Sequence, residues 1–183
     1  MRSALLPLCA LALLLQGCGM TMPRYEPNYA NVEVLRAAKL TPQLDQPRVE
    51  ASSGQNRLFV RANPISSPSG DMAAHLRDAL EGELRLAGLL EPGAARRLEA
   101  RLEENELNAA LFGQGHGVLV VEFRVVEGDR TLYQGTKRVE NTWDSSFIGA
   151  LAIPRAANAY NPMVTRALGE LYRDPAFIAA LRR

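Results

Sequence analysis

The stretch VLVVEFRVVEGDRTLYQGTKRVENTW, residues 118–143, leaves few folds open. Leu119, Val121, Phe123 and Val125 fall on one side of an extended chain, and Val118, Val120, Glu122 and Arg124 on the other. This is the two-residue period that a strand imposes. Gly128-Asp129 supplies a tight reversal, after which Thr131 to Trp143 returns with Tyr133, Val139 and Trp143 on one side. A two-stranded ribbon is marginal in water by itself, so further elements must cover its apolar face.

Those elements flank it. Residues 95–112 have helical propensity at nearly every position. Yet Leu98, Ala100 and Leu102 alternate with Glu99, Arg101 and Glu103. Propensity gives helix and alternation gives strand; we read a strand over about 97–107, partly on the family resemblance given below, with helix as the competing assignment. RLFVRANPI (57–65) is a further strand that Pro64 ends. The clearest helix covers 71–90, where Met72, Leu76, Leu80, Leu84 and Ala87 form one stripe. Ser69 is its expected N-cap, with Asp71 in the first turn, and Gly88 and Pro92-Gly93 end it. GQGHG (113–117) reads as a flexible turn. Toward the C-terminus, an apolar stretch at 147–153 is interrupted by Pro154. Asn161-Pro162 has the form of a cap followed by proline. Val164, Ala167, Leu168 and Leu171 follow as a stripe, and Asp174-Pro175 opens a last helix with Phe177, Ile178 and Leu181 inward. The order predicts an α+β fold: a mostly antiparallel sheet of about four strands, with one long helix and C-terminal helices packed on one face.

The start of the chain is organised differently. Met1-Arg2 precedes the apolar run Leu5–Leu15, about half the length a membrane-spanning helix needs. A basic start, a short apolar middle and a small-residue end describe a secretory signal peptide. Residues 18–56 carry Pro23, Pro27, Pro42 and Pro47 and the polar ASSGQN (51–56). We read them as a flexible tether, in which Val32 and Val34 form at most a short edge strand. The expected organisation is a signal peptide at 1–17, a tether at 18–56 and a single α+β domain at 57–183.

Leu15-Gln16-Gly17-Cys18 resembles the bacterial lipobox. The resemblance implies cleavage between Gly17 and Cys18 and acylation of Cys18 by a thioether-linked diacylglycerol and an N-linked chain such as palmitate. The family pattern has Ala or Ser where Gln16 stands, and an ordinary signal peptide with a chance cysteine is the competing reading. Two or three chains hold a protein at a bilayer far more firmly than one. By the same resemblance, Gly19 in place of an inner-membrane-retaining Asp implies the outer membrane, on its periplasmic face. Cleavage takes 17 of the 183 residues and leaves 166, enough for one domain with a real core. Cys9 leaves with the signal and Cys18 is acylated, so neither is left for a disulfide.

The lipobox, the order of elements and the closing DSSFIGALAIP…YNPMV…LYRDPAFIAAL resemble small Gram-negative lipoproteins of the YajG type. The fold this implies is similar to the N-terminal domain of TolB and to peptidoglycan-synthase activator lipoproteins. The resemblance supplies no catalytic residue and transfers only Cys18.

The chemistry on offer is sparse. Lys and Arg number 21 and Asp and Glu 20, so nothing points to nucleic acid. His75 and His116 are the only histidines, on a helix and in a turn; they are too few for a zinc site, and both are read as solvated. Ser66, Ser67 and Ser69 lack a nucleophile elbow. The Arg/Glu run at 96–106 is either a binding surface or a solvated face. Trp143, the only Trp, and Asp144 are the candidate interface, against core packing as the plainer role. The functional reading is a lipid-anchored, non-catalytic envelope module with no cofactor and no metal. It contacts the membrane through its acyl chains and binds an envelope protein or further copies of itself. A periplasmic carrier of a lipid or glycan is the alternative, and an envelope hydrolase the third.

Overall fold

A computed structural model describes residues 19–182. The Gly17–Cys18 cleavage and acylation site lies outside them. The hairpin is the spine, as its alternation demands. Strand β5 (Arg96–Asn108), β6 (Gln114–Glu127) and β7 (Arg130–Asp144) form an antiparallel meander. Leu98 pairs with Val125, Ala100 with Phe123 and Leu102 with Val121, so the apolar residues of two strands share one face. The strand reading of 97–107 therefore holds over its helical propensity, because burial on one face outweighs intrinsic preference.

The sheet is not wholly antiparallel. Strand β2 (Leu44–Ala51) adds at the edge, parallel to β5, giving the order β2-β5-β6-β7. A parallel pair needs a long crossover. Helix α2 (Met72–Leu86) supplies much of it and packs back onto β2. A second, small sheet joins β1 (Met20–Thr21), β4 (Asn63–Ser66) and β3 (Leu58–Val60), with β1 parallel to β4. Helices α1 (Tyr29–Ala37), α3 (Gly149–Asn158), α4 (Tyr160–Tyr172) and α5 (Pro175–Arg182) complete the chain. The core lies between the large sheet and the helices. Phe123, Tyr160, Tyr172 and Phe177 fill it together with Leu76, Leu80, Leu84, Val164, Leu168 and Leu171. The other face of the sheet carries Arg48, Glu50, Glu99, Arg101, Glu122 and Arg124. It is laced by pairs such as Arg124–Glu99 and Arg138–Glu104, which makes the Arg/Glu run a solvated face.

Several expectations are corrected. Residues 29–51 are not a tether: they hold α1 and β2. Val32 and Leu35 are fully buried, a three-residue spacing that belongs to a helix. Asn28 caps that helix by accepting from the Asn31 amide. The Val32/Val34 alternation is thus helical, not a strand. RLFVRANPI is a hairpin rather than one strand. Val60 faces Asn63, and the two residues between them, Arg61 and Ala62, both have left-handed φ (50° and 62°). A reversal of this kind normally announces itself with Asn-Gly; here it is built without glycine. Asp71, not Ser69, caps α2, accepting from the Ala74 amide. Asn161 caps nothing, since α4 begins at Tyr160. GQGHG is no turn but the first part of β6. Its glycines make room for Trp143: a side chain at Gly115 would run into the indole.

Candidate functional site

Two polar clusters lie inside the body. His75 is 1% exposed, so the expectation of a solvated histidine is wrong. Its position on α2 turns it under the 67–70 turn. Ser67 Oγ stands 3.0 Å from His75 Nδ1, and His75 Nε2 stands 2.8 Å from Asn161 Oδ1. Asn161 Nδ2 donates to the carbonyls of Pro23 and Arg24, which fixes its oxygen toward the ring. The ring then donates from Nε2 and accepts the Ser67 hydroxyl at Nδ1. Burial lowers the His75 pKa and favours this neutral form, although Asn161 and Asp78 pull the other way. Ser67 Oγ also accepts from the Ser69 amide. The sequence Ser–His–Asn carries the residue types of a hydrolytic relay. Its serine, however, is buried and already accepts from one group and donates to another, so the relay serves as a brace between the turn, α4 and the N-terminal segment.

Glu83 is the second cluster and was invisible in the sequence, where it reads as one more charge on α2. It is fully buried. Tyr25 Oη donates to its Oε1 at 2.6 Å and the Asn28 amide at 2.9 Å. Asn31 Nδ2 lies 3.4 Å from Oε2 and donates at 2.9 Å to the Thr165 carbonyl. Burial raises the Glu83 pKa, against the hydrogen bonds that favour its charged form. Burial, reinforced by the Glu83 charge, pushes the Tyr25 hydroxyl far up. Glu83 thus fastens residues 25–31 to α2 and α4.

The exposed feature is apolar. Leu111, Phe112, Phe147, Ile148 and Leu151 all face solvent, Phe112 at 77% and Phe147 at 65%. The two rings stack, centroids 5.7 Å apart. They project from two loops, 109–113 and 145–148, that Arg61 ties together. Its guanidinium donates to the carbonyls of Ala109 (2.9 Å), Ala110 (2.5 Å), Ser146 (2.6 Å) and Phe147 (3.1 Å). Ser145 Oγ adds a bond to the Ala110 carbonyl at 2.6 Å. The left-handed turn at Arg61 aims the side chain into this nest of carbonyls, which accounts for a strained non-glycine residue there.

The chain enters the body beside this patch. Met20 pairs with Ile65 and Thr21 with Ser66, and a Cβ on Gly19 would lie 3.4 Å from Pro64. Because β1 runs parallel to β4, the chain before Met20 heads toward Asn63 and the Arg61 turn. Helix α3, which begins at the Phe147–Ile148 loop, packs against β1.

The sequence-derived candidates fall as follows. Trp143 is half-buried across Gly115, with Nε1 enclosed and unpaired, and Asp144 is exposed at the end of β7. Together they deliver the 145–148 loop of the patch without belonging to it. His116 is exposed on β6, on a different element from His75. Among the described residues, no three His, Cys, Asp or Glu side chains stand together as metal ligands, and no helix is long and apolar enough to cross a membrane.

No family model and no curated protein matches the sequence. Solved structures do share the fold. Protein XCC0632 from Xanthomonas campestris, of family DUF330, matches with a TM-score of 0.63 at 16% identity, over 87% of this chain and 95% of that one. A candidate lipoprotein from Caulobacter crescentus matches with a TM-score of 0.50 at 15% identity, over 84% and 98%. These likenesses carry the fold and run to lipoprotein-type proteins of Gram-negative bacteria. The YajG and TolB resemblances stand as expectations of the sequence.

Proposed function

We propose that the protein is a lipid-anchored accessory of the bacterial envelope, acylated at Cys18 on the periplasmic face of the outer membrane, that works by being positioned rather than by catalysis. The observation that carries this reading is where the fold begins. Only Gly19 separates Cys18 from a strand knitted into the small sheet, so an acyl group at Cys18 holds the body itself. The likeness to a candidate lipoprotein supports it. So does the use of the polar residues inside: the Ser67–His75–Asn161 relay and Glu83 brace the N-terminal segment, and among the described residues neither leaves a free nucleophile–base pair in a cleft. The space a carrier would need between sheet and helices is occupied by Phe123, Tyr160, Tyr172 and Phe177. The large sheet's charged face is the surface offered to an envelope protein or to further copies.

The test is Cys18→Ser in the native host. The variant should retain its leader or appear in the soluble periplasmic fraction, whereas the parent protein carries acyl chains on residue 18 by mass spectrometry. Normal processing and an unchanged membrane fraction in the variant would refute the anchor. In-cell crosslinking from position 122, on that face, would then identify what the module meets.

A further inference from the structure

The exposed apolar cluster has no role in the anchor reading as it stands. Five large apolar side chains, four of them on loops, are held out of the core, the loops by the Arg61 network. Taking about 200 Å² for a whole side chain of this class, the cluster exposes on the order of 600 Å², at the upper end of what a soluble surface tolerates. Arg61 contributes four hydrogen bonds to keep the two loops side by side, and the stacked rings of Phe112 and Phe147 form its crest. The loops are therefore positioned, not merely left over.

What covers the cluster follows from where the chain goes. Adjacent Cα atoms are about 3.8 Å apart, so an acylated Cys18 sits within one residue of Gly19, and Gly19 lies against Pro64. Pro64 is three residues from Arg61, whose side chain holds the carbonyl of Phe147. The parallel pairing of β1 with β4 points the anchor toward this end of the small sheet and away from the 67–70 turn. A diacylglycerol in the leaflet fixes Cys18 at headgroup level, and the 18–19 link is too short to lift the neighbouring loops clear.

We propose that Leu111, Phe112, Phe147, Ile148 and Leu151 form a membrane-docking face that inserts into the headgroup–acyl boundary of the leaflet holding the anchor. The proposal rests on acylation of Cys18 and deepens it: the lipid tethers the protein and the aromatic crest orients it. Phe and Leu side chains on an amphipathic surface enter about 5–10 Å into this boundary. The long axis of β6 then rises from the bilayer, and its 127–130 turn stands roughly 45 Å away at about 3.3 Å per residue. This places the charged sheet face and β7 where another envelope component reaches them.

The experiment uses the acylated protein in vesicles of phosphatidylethanolamine and phosphatidylglycerol. With Cys9 removed alongside the leader and Cys18 acylated, Leu111→Cys carries the only free thiol, and Asp129→Cys provides the distal control. Each is labelled with an environment-sensitive fluorophore and challenged with lipids bearing a nitroxide below the headgroup. The label at 111 should shift to the blue and be quenched several-fold more than the label at 129. Phe112→Ser with Phe147→Ser, both exposed and outside the core, should bring the signal at 111 down to that at 129 while the protein stays anchored. Three results overturn the docking face: a label at 111 that stays in water although mass spectrometry shows the acyl chains, quenching that the double substitution leaves unchanged, or a blue shift that needs no vesicles and grows with protein concentration, which marks a second copy as the occupant. Absence of the acyl mass overturns the anchor itself, so the two readings fail by different measurements.

Discussion

Two buried titratable side chains, Glu83 and His75, push the stability of this fold in opposite directions with pH, and the opposition can be measured. Burial raises the folded pKa of Glu83 above its ordinary 4.5. Between 4.5 and that raised value, the folded chain holds a proton that the unfolded chain has released. Stability therefore falls as pH rises through this window, by at most about 1.4 kcal/mol per pH unit; the stabilisation is complete below 4.5 and lost above the folded pKa. His75 does the reverse. Burial lowers its folded pKa below the ordinary 6.5, so under 6.5 the unfolded chain takes up a proton that the folded chain refuses. Stability then falls as pH falls, with the same limiting slope. The Glu83 window opens upward from 4.5 and the His75 window downward from 6.5, and where they overlap the two slopes subtract. The unfolding free energy of the parent chain, from urea titrations followed by circular dichroism, should therefore vary less between pH 4.5 and 6.5 than that of either single variant. Glu83→Gln removes one contribution and should leave a profile that declines on acidification. His75→Gln removes the other and should leave one that rises. Asp174 does not interfere. Burial raises its pKa, but bonds from Lys137, Tyr133 and the Ala176 amide outweigh this and hold it at about 2, so its stabilisation is present above the ordinary 3.8 and is lost only below it. Profiles of the two variants that share the parent's shape would refute the assignment of buried, oppositely shifted groups.

Two further substitutions probe the patch and its support. Arg61→Ala and Arg61→Gly lose the same four carbonyl contacts, but only alanine is strained at φ 50°, so the glycine variant should be the more stable by about 1 kcal/mol. In both, hydrogen exchange should speed up at amides 110–113 and 146–148; slow exchange there would mean the loops hold without the guanidinium. Gly115→Ala should cost about 1–3 kcal/mol by forcing the indole off β6, and should shift Trp143 emission to the red as the ring gains water. An unshifted spectrum would show that the ring was not seated on the strand.

What the sequence shows and hides follows from the range of the interactions. The β6–β7 hairpin and the stripes of α2 and α4 are legible because burial on one face writes a period into neighbouring residues. The 97–107 strand is legible only in part: the alternation of Leu98, Ala100 and Leu102 opposes Glu and Arg propensity, and the family resemblance tips the reading to strand. What fails depends on distant partners. Glu83 is a surface charge until Tyr25 and Asn28, more than fifty positions earlier, are folded onto it. His75 is a polar residue off the stripe until Asn161 meets it from α4. GQGHG has the composition of a turn until Trp143 lies down on its glycines. The 29–51 segment misleads because Pro27, Pro42 and Pro47 suggest a spacer, whereas Asn28, Val32 and Leu35 carry a capped helix between them. The apolar patch is only half visible: the apolar stretch at 147–153 is plain, but Phe112 and Phe147 are 35 positions apart and become neighbours through loops that Arg61 gathers.

The smallest element of the fold has the largest consequence for how the body would sit on a membrane. Strand β1 is two residues long and, among the described residues, pairs only with β4. Its direction decides which end of the molecule lies next to Cys18. Were it antiparallel to β4, the chain before Met20 would emerge beside the 67–70 turn, whose polar atoms are already engaged with His75, and the aromatic crest would stand away from the anchor. The parallel register instead sends the chain toward Pro64 and the Arg61 turn. Glu83 and Asn161 grip residues 23–31 immediately afterwards, through Tyr25, Asn28, Asn31 and the carbonyls of Pro23 and Arg24. A pull on Cys18 is therefore transmitted to α2 and α4 within a dozen residues, with no slack segment to absorb it. A flexible spacer would leave the body free to tumble, and its surfaces would meet partners in any orientation. Without one, an anchor at Cys18 and an apolar face at the same end would orient the charged sheet with respect to the bilayer, and Glu83 and His75 are the buried groups that keep the N-terminal segment fixed to the body.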